Sequence, residues 1–120
     1  MAHVTLLGLS ADLDIQLTRV LRAEAHKVIS RRFAGDLRRG PRPGVVFVSG
    51  EGSGIREEML AIRHYEPDLP VVAVTRIPEP KRWLEALEAG AADYCGAPFE
   101  RIQIRWIMNS VLGLAAPQAA

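Results

Sequence analysis

Ser49 is the side chain best placed for nucleophilic chemistry. It follows the apolar run Val45-Val-Phe-Val48 and opens the loop Ser49-Gly-Glu-Gly-Ser-Gly54. A serine at a strand end is a poor nucleophile unless a base, a lysine or a metal activates it, and its neighbours supply none. The glycine-rich loop lacks the Gly-Lys-Ser/Thr ending of a phosphate-binding loop and the Gly-x-Gly-x-x-Gly spacing of a dinucleotide site. Gly52-Ser53-Gly54 does not fit a nucleophile elbow, which needs Gly-x-Ser-x-Gly. His3, His26 and His64 are far apart, and none is paired with an acid at ligand spacing. The single cysteine, Cys95, excludes an internal disulfide and a Cys-cluster metal site. No base–nucleophile pair or metal cluster can be assembled, so neither an enzyme nor a resident cofactor is expected. Arg76, after the strand Val71–Thr75, is a cation suited to an anionic ligand.

These residues sit at the ends of short apolar runs. Val4–Leu9, Val45–Val48 and Val71–Thr75 are β-branched or aliphatic and predict strands buried on both faces. Lys27–Phe33 predicts a more polar strand near an edge, and Ala91–Gly96 a short last strand. Between them, Ser10 offers an N-cap to a helix running to Ala25, with Asp12 and Asp14 in its first turn and Ile15, Leu17, Val20 and Leu21 on its apolar face. Ala34–Gly40 predicts one or two helical turns ahead of Pro41-Arg-Pro43-Gly44. Ile55–Tyr65 predicts a helix with Ile55, Met59, Leu60 and Ile62 on one side. Pro78 and Pro80 open a helix carrying Trp83, Leu84 and Leu87 that stops at Gly90. Pro98 suits the first turn of a last helix, Phe99–Leu114. Strands alternating with helices in this way imply a parallel sheet with right-handed crossovers. Function in such sheets sits in the loops at the C-terminal strand ends, here Gly8–Ala11, Ser49–Gly54, Thr75–Glu79 and Cys95–Pro98.

With 120 residues the chain makes one domain, residues 1–114, followed by a frayed tail, 115–120. No apolar run reaches the roughly 18 residues of a membrane span, and no signal pattern opens the chain, so a cytoplasmic protein is expected. The net charge of +1 is unevenly spread: residues 1–43 hold eight Lys/Arg against four Asp/Glu, residues 44–120 seven against ten. Arg31, Arg32, Arg38, Arg39 and Arg42 cluster in the first part. Direct nucleic-acid binding is not expected, because only Phe33 stands among these cations and such surfaces interleave aromatics with more basic residues.

The order of motifs resembles a known family. Asp68-Leu-Pro-Val-Val-Ala-Val-Thr75, then Leu84-Glu-Ala-Leu-Glu-Ala-Gly-Ala-Ala-Asp-Tyr94, then Pro98-Phe99, resembles the second half of response-regulator receiver domains. Leu21-Arg-Ala-Glu-Ala-His-Lys-Val28 resembles the end of their first helix and the start of their second strand. The resemblance implies a flavodoxin-like three-layer α/β sandwich: a five-stranded parallel sheet of order 2-1-3-4-5 with helices on both faces. It also implies a place in two-component phosphorelay signalling. Receivers take a phosphoryl group on an aspartate after the third strand. Two acids after the first strand help that aspartate bind Mg²⁺. A lysine after the fifth strand neutralises the phosphoryl oxygens, and a Thr or Ser after the fourth couples to an aromatic on the fifth.

Carried onto this chain, the acid pair falls on Gly8 and Leu9, the phosphoacceptor on Ser49 and the lysine on Ala97. Thr75 and Tyr94 match the switch pair, and Arg76 stands where the family has a small residue. Shifting the first strand brings in only Asp12, and Glu51 and Glu79 are the other acids in these loops. Mg²⁺ binding is therefore expected to be lost or weak. The last helix, with Phe99, Ile102, Ile104, Trp106, Ile107, Met108, Val111 and Leu112, is apolar around most of its circumference, more than one sheet face needs. With Trp83 and Tyr94, the surplus predicts a contact surface over residues 81–112 for a protein partner, a kinase or effector, or for a homodimer. The resulting expectation is an aspartate-less, stand-alone receiver-like module acting by protein contact. A small-ligand or anion sensor using the altered pocket and Arg76 is the alternative.

Overall fold

The computed structural model describes residues 2–52 and 54–113. Five strands form one parallel sheet: β1 (His3–Leu7), β2 (Lys27–Arg31), β3 (Val45–Ser49), β4 (Val71–Thr75) and β5 (Asp93–Gly96). Their order is β2-β1-β3-β4-β5, the expected one. The crossovers carry α1 (Ala11–Ala23), a 3-10 helix (Ala34–Arg38), α2 (Ile55–Tyr65) and α3 (Pro80–Glu88), and α4 (Arg101–Val111) follows β5. No helix among the described residues is long and apolar enough to cross a membrane.

The central strands supply two cores because successive side chains point to opposite faces. Val45 and Phe47 of β3, with Val72 and Val74 of β4, face Leu13, Leu17 and Leu21 of α1 and Ile104, Ile107 and Met108 of α4. Val46 and Val48, with Val71 and Ala73, face the 3-10 helix, α2 and Ala86 of α3. The three layers are thus α1 and α4, the sheet, and the remaining helices.

Several elements differ from their sequence-based expectations. β2 ends at Arg31, because Phe33 turns out of the sheet, exposed, and donates its N–H to Asp36 at the start of the 3-10 helix. β5 begins at Asp93, because the Ala91 N–H closes the end of α3 on Ala86 O (3.0 Å). α4 begins at Arg101; Pro98 follows a cis peptide, and Phe99 is a core residue ahead of the helix. Leu114 and the proposed tail, 115–120, lie outside the described residues. The buried stripe of α1 is Leu13, Leu17 and Leu21, an i, i+4 series, while Ile15 is exposed and Val20 only partly buried. Leu60 of α2 is likewise exposed. On α3, Ala86 alone is buried, and Trp83, Leu84 and Leu87 all face outward. Gly90 stops that helix as expected, with φ of 104° in the region glycine favours.

Candidate functional site

Parallel strands bring four loops together at the C-terminal end of the sheet, and each substituted position lies there. Gly8 follows β1 with φ of 65°, its N–H bonded to Arg31 O. Leu9 packs against the first core, and neither residue offers a side-chain oxygen. Ser49 closes β3, and its hydroxyl accepts the Glu51 N–H (3.2 Å), which makes it a local loop cap. Ala97 packs on the first core and donates its N–H to Thr75 O. Gly8 and Ser49 line a cleft of about 370 Å³ with Arg32, Phe33, Glu51 and Glu58. Burial pushes the Glu58 carboxyl upward.

How Arg76 is held shows only in the fold. Its Nη1 donates to Glu51 Oε1 (2.7 Å) and its backbone N–H to Glu51 Oε2 (3.1 Å). Nε and Nη2 form a two-pronged contact with the Asp12 carboxylate, Nε to Oδ2 at 2.9 Å, and Nη2 also reaches Ser10 Oγ (2.9 Å). The residue after β4 therefore ties the start of α1 to the loop after β3. The guanidinium, and after it the Ser10 hydroxyl, hold the Asp12 carboxyl below its usual range, and Asp12 in turn raises Arg76. Ser10 occupies the N-cap position of α1 but makes no side-chain cap bond; its hydroxyl serves Arg76 instead. Asp12 and Arg76 are 64 residues apart, so only the strand order brings them together.

Mg²⁺ does not fit these side chains. Gly8, Leu9 and Ser49 supply no carboxylate, and the two carboxylates at hand, Asp12 and Glu51, already share a cation. Among the described residues, no group of three or more His, Cys, Asp or Glu is placed to hold a metal ion. An anionic ligand seeking Arg76 would have to displace both carboxylates. His26 accepts the Ala2 N–H on Nδ1, and His3 pairs in register with Lys27, so His3 and His26 are neighbours rather than far apart, because β1 and β2 lie side by side; His64 stacks edge-on to Tyr65. The Cys95 thiol is buried and pushed up to about 12, first by burial and then by Asp93, which leaves it unreactive.

The Thr75 and Tyr94 hydroxyls converge on one loop. Thr75 Oγ1 donates to Ile77 O (3.3 Å), and the Tyr94 hydroxyl accepts the Glu79 N–H (3.4 Å). The Tyr94 ring lies on Gly50, where a methyl group would come within 2.9 Å of it. Tyr94 also lines an apolar cleft of about 320 Å³ with Pro78, Pro80 and Trp83. Around that cleft Ile77, Trp83, Leu84 and Leu87 are exposed. On α4, Ile102 and Trp106 form a second exposed pair at i, i+4, Trp106 at 73% exposure, turned away from Ile104, Ile107 and Met108. α3 and α4 belong to opposite layers and β5 is the edge strand, so exposed apolar side chains flank that edge on both sides.

No protein-family model matches the chain, and no curated protein matches it. Solved structures do. NtrX from Brucella abortus superposes with a TM-score of 0.80 at 19% identity, over 93% of this chain and 27% of that one. The chain has the receiver fold. The non-phosphorylated HemR receiver domain of Leptospira biflexa matches with a TM-score of 0.72 and 21% identity, over 98% of this chain and 99% of that one. The beryllofluoride-activated NtrC4 receiver-domain dimer matches at 0.76 and 15%, over 92% of this chain and 96% of that one. At these identities the fold is what is shared, and the chain spans about a quarter of NtrX's length, 27%.

Proposed function

We propose that this chain is a receiver-like signalling module that does not take a phosphoryl group at the usual position and works by protein contact through α3, β5 and α4. The observation that carries the reading is Arg76. At the end of the sheet where a receiver gathers carboxylates around a metal ion, this chain gathers two carboxylates around its own guanidinium. Ser49, at the acceptor position, spends its hydroxyl on the loop. With no acceptor carboxylate, no lysine at Ala97 and no vacant acid pair, phosphorylation lacks its nucleophile and its charge neutralisation.

The same ties favour a fixed arrangement of the loop 76–79. Arg76 fastens one end to Asp12 and Glu51, and Glu79 fastens the other to Tyr94. The apolar cleft of Pro78, Trp83 and Tyr94 is then presented without a phosphorylation event. The NtrC4 receiver domain is itself a dimer, which supports a protein partner or a second copy here. Exposed Trp, Tyr and Leu side chains are the composition of interface centres.

Incubation with acetyl phosphate and Mg²⁺ should leave the intact mass unchanged, and a stable acyl-phosphate adduct would sink the reading. If the chain self-associates through this surface, Trp83→Glu or Trp106→Glu should yield a monomer by sedimentation. An unchanged mass for both variants would move the self-contact elsewhere.

A further inference from the structure

The other edge of the sheet is strongly basic. Between Lys27 and Pro43 stand six basic residues and one acid, Asp36, whereas the rest of the chain holds nine basic residues and thirteen acids. β2 pairs only with β1, so it forms the free edge, about 17 Å long for five residues. Arg31 and Arg32 stand at its C-terminal end, Lys27 at its foot, and the chain returns past Arg38, Arg39 and Arg42 to the start of β3. The cations thus cluster at the end of β2 and on the crossover that packs against α2.

Two of their partners are weak holds. Arg39 pairs with Asp36 at 3.0 Å while 74% exposed. Among the described residues Arg31 reaches a carbonyl, Arg39 O, at 3.4 Å. Exposed contacts of this kind contribute little and exchange readily for another anion. Arg42 is held more firmly, at 2.8 Å from Glu66, whose side chain is only 11% exposed. Five of the six cations are arginines, whose planar forks match phosphate oxygens and stack on rings.

The sequence places a single aromatic, Phe33, among these cations, and the fold adds two more rings. Phe33 is 66% exposed beside Arg32, at a cleft that Glu51 and Glu58 also line. The end of α2 brings in Tyr65, with the Arg38 guanidinium 5.6 Å from its ring centre and bonded to its carbonyl (3.1 Å). His64 stands edge-on to that ring at 4.8 Å. Beside them, Arg38, Arg42, Tyr65, Glu66 and Pro67 line a cleft of about 430 Å³. Cations interleaved with aromatic planes along a groove are the arrangement that holds single strands. An acidic polypeptide would satisfy the charges but gives an exposed Phe33 no plane to stack on.

We propose that the β2 edge is a docking surface for single-stranded nucleic acid, with phosphates on Arg31, Arg32 and Arg39 and a base stacked on Phe33. This surface lies on the opposite edge from β5 and does not depend on the function proposed above.

Fluorescence anisotropy with a labelled oligouridylate of about 12 nucleotides tests it. Binding should weaken with salt at a log–log slope of about −2, as three neutralised phosphates give on a single strand. Arg32→Ser should make the slope shallower by about 0.7. Phe33→Ala should lower affinity by about 5- to 150-fold and leave the slope unchanged. Arg56→Ser, the same loss of charge on α2, should change neither. Arg32 and Phe33 are both exposed, and matching thermal melts would confirm that their variants fold. No binding at low salt overturns the proposal. So does full competition by oligoglutamate combined with an inert Phe33→Ala, which would assign the edge to an acidic polypeptide.

Discussion

At the C-terminal end of the sheet one guanidinium, Arg76, is shared by two carboxylates; between α1 and α4 one carboxylate, Glu24, is shared by two guanidiniums. Arg101 Nε and Arg105 Nε reach Glu24 at 2.8 and 2.7 Å, and Arg101 Nη2 also caps the end of α1 through Ala23 O (3.2 Å). The groups are chemically alike but differently placed. The Glu24 side chain is 8% exposed and joins two helices of one layer. Arg76 is 46% exposed and joins three loops. A charge taken out of water must keep its partners, whereas one in water loses little when they go. The first cluster therefore belongs to stability, and the second to the shape of the loops.

The largest effect should come from Glu24→Ala. It leaves Arg101 and Arg105 side by side without their shared anion, so the melting temperature should fall further than for any other single change in either cluster. The pH profile gives the sign independently. The Arg105 and Arg101 hydrogen bonds bring the Glu24 carboxyl from 4.5 to about 2. A folded pKa below the unfolded one adds stability that is complete above about 4.5 and is lost as pH falls through about 2. Acid denaturation of the wild type should therefore steepen across that window, and the Glu24→Ala variant should lose that part of the slope. An unchanged slope would mean that Glu24 is not held as described.

Arg76→Ala should reverse the pattern. Its melting temperature should drop only slightly, but amide exchange should accelerate at residues 76–79 and around Glu51. Trp83 fluorescence should also shift, because the cleft it lines is built on that loop. High salt should weaken the wild-type Arg76 ties and leave those of Glu24 largely intact, since screening acts on exposed charges. A large global destabilisation by Arg76→Ala would erase the distinction between the clusters.

Neither cluster was legible in the sequence, though most of the fold was. Val45–Val48 and Val71–Thr75 announce central strands because burial on both faces demands unbroken β-branched runs. Gly90 announces a helix end because only its backbone conformation suits glycine. Periodicity tells which residues share a helix face but not which face meets the sheet. Hence Trp83, Leu84 and Leu87 stand out on α3, whereas Ala86, too small to stand out, is what packs. Asp12 was visible as an acid in a helix's first turn and Arg76 as a spare cation. Their meeting depends on α1 following the strand that lies two places from β4 in the sheet, and no local pattern carries that. Gly8, Ser49 and Ala97 were singled out only through the resemblance to receivers; their side chains alone signal nothing.

Ser10→Ala should have the smallest effect and the most discriminating one. As an N-cap Ser10 would contribute about 1 kcal/mol through a bond to the backbone of the first turn. No such bond is made, and the hydroxyl instead serves Arg76 and helps to lower Asp12. Its removal should therefore cost less than about 0.5 kcal/mol, the low end for one hydrogen bond. The Asp12 titration, followed by carboxyl NMR, should move upward toward its ordinary position while the amides of α1 keep their protection. If α1 frays and Asp12 does not move, the hydroxyl belongs to the helix rather than to the arginine, and the cluster reduces to a guanidinium between two carboxylates.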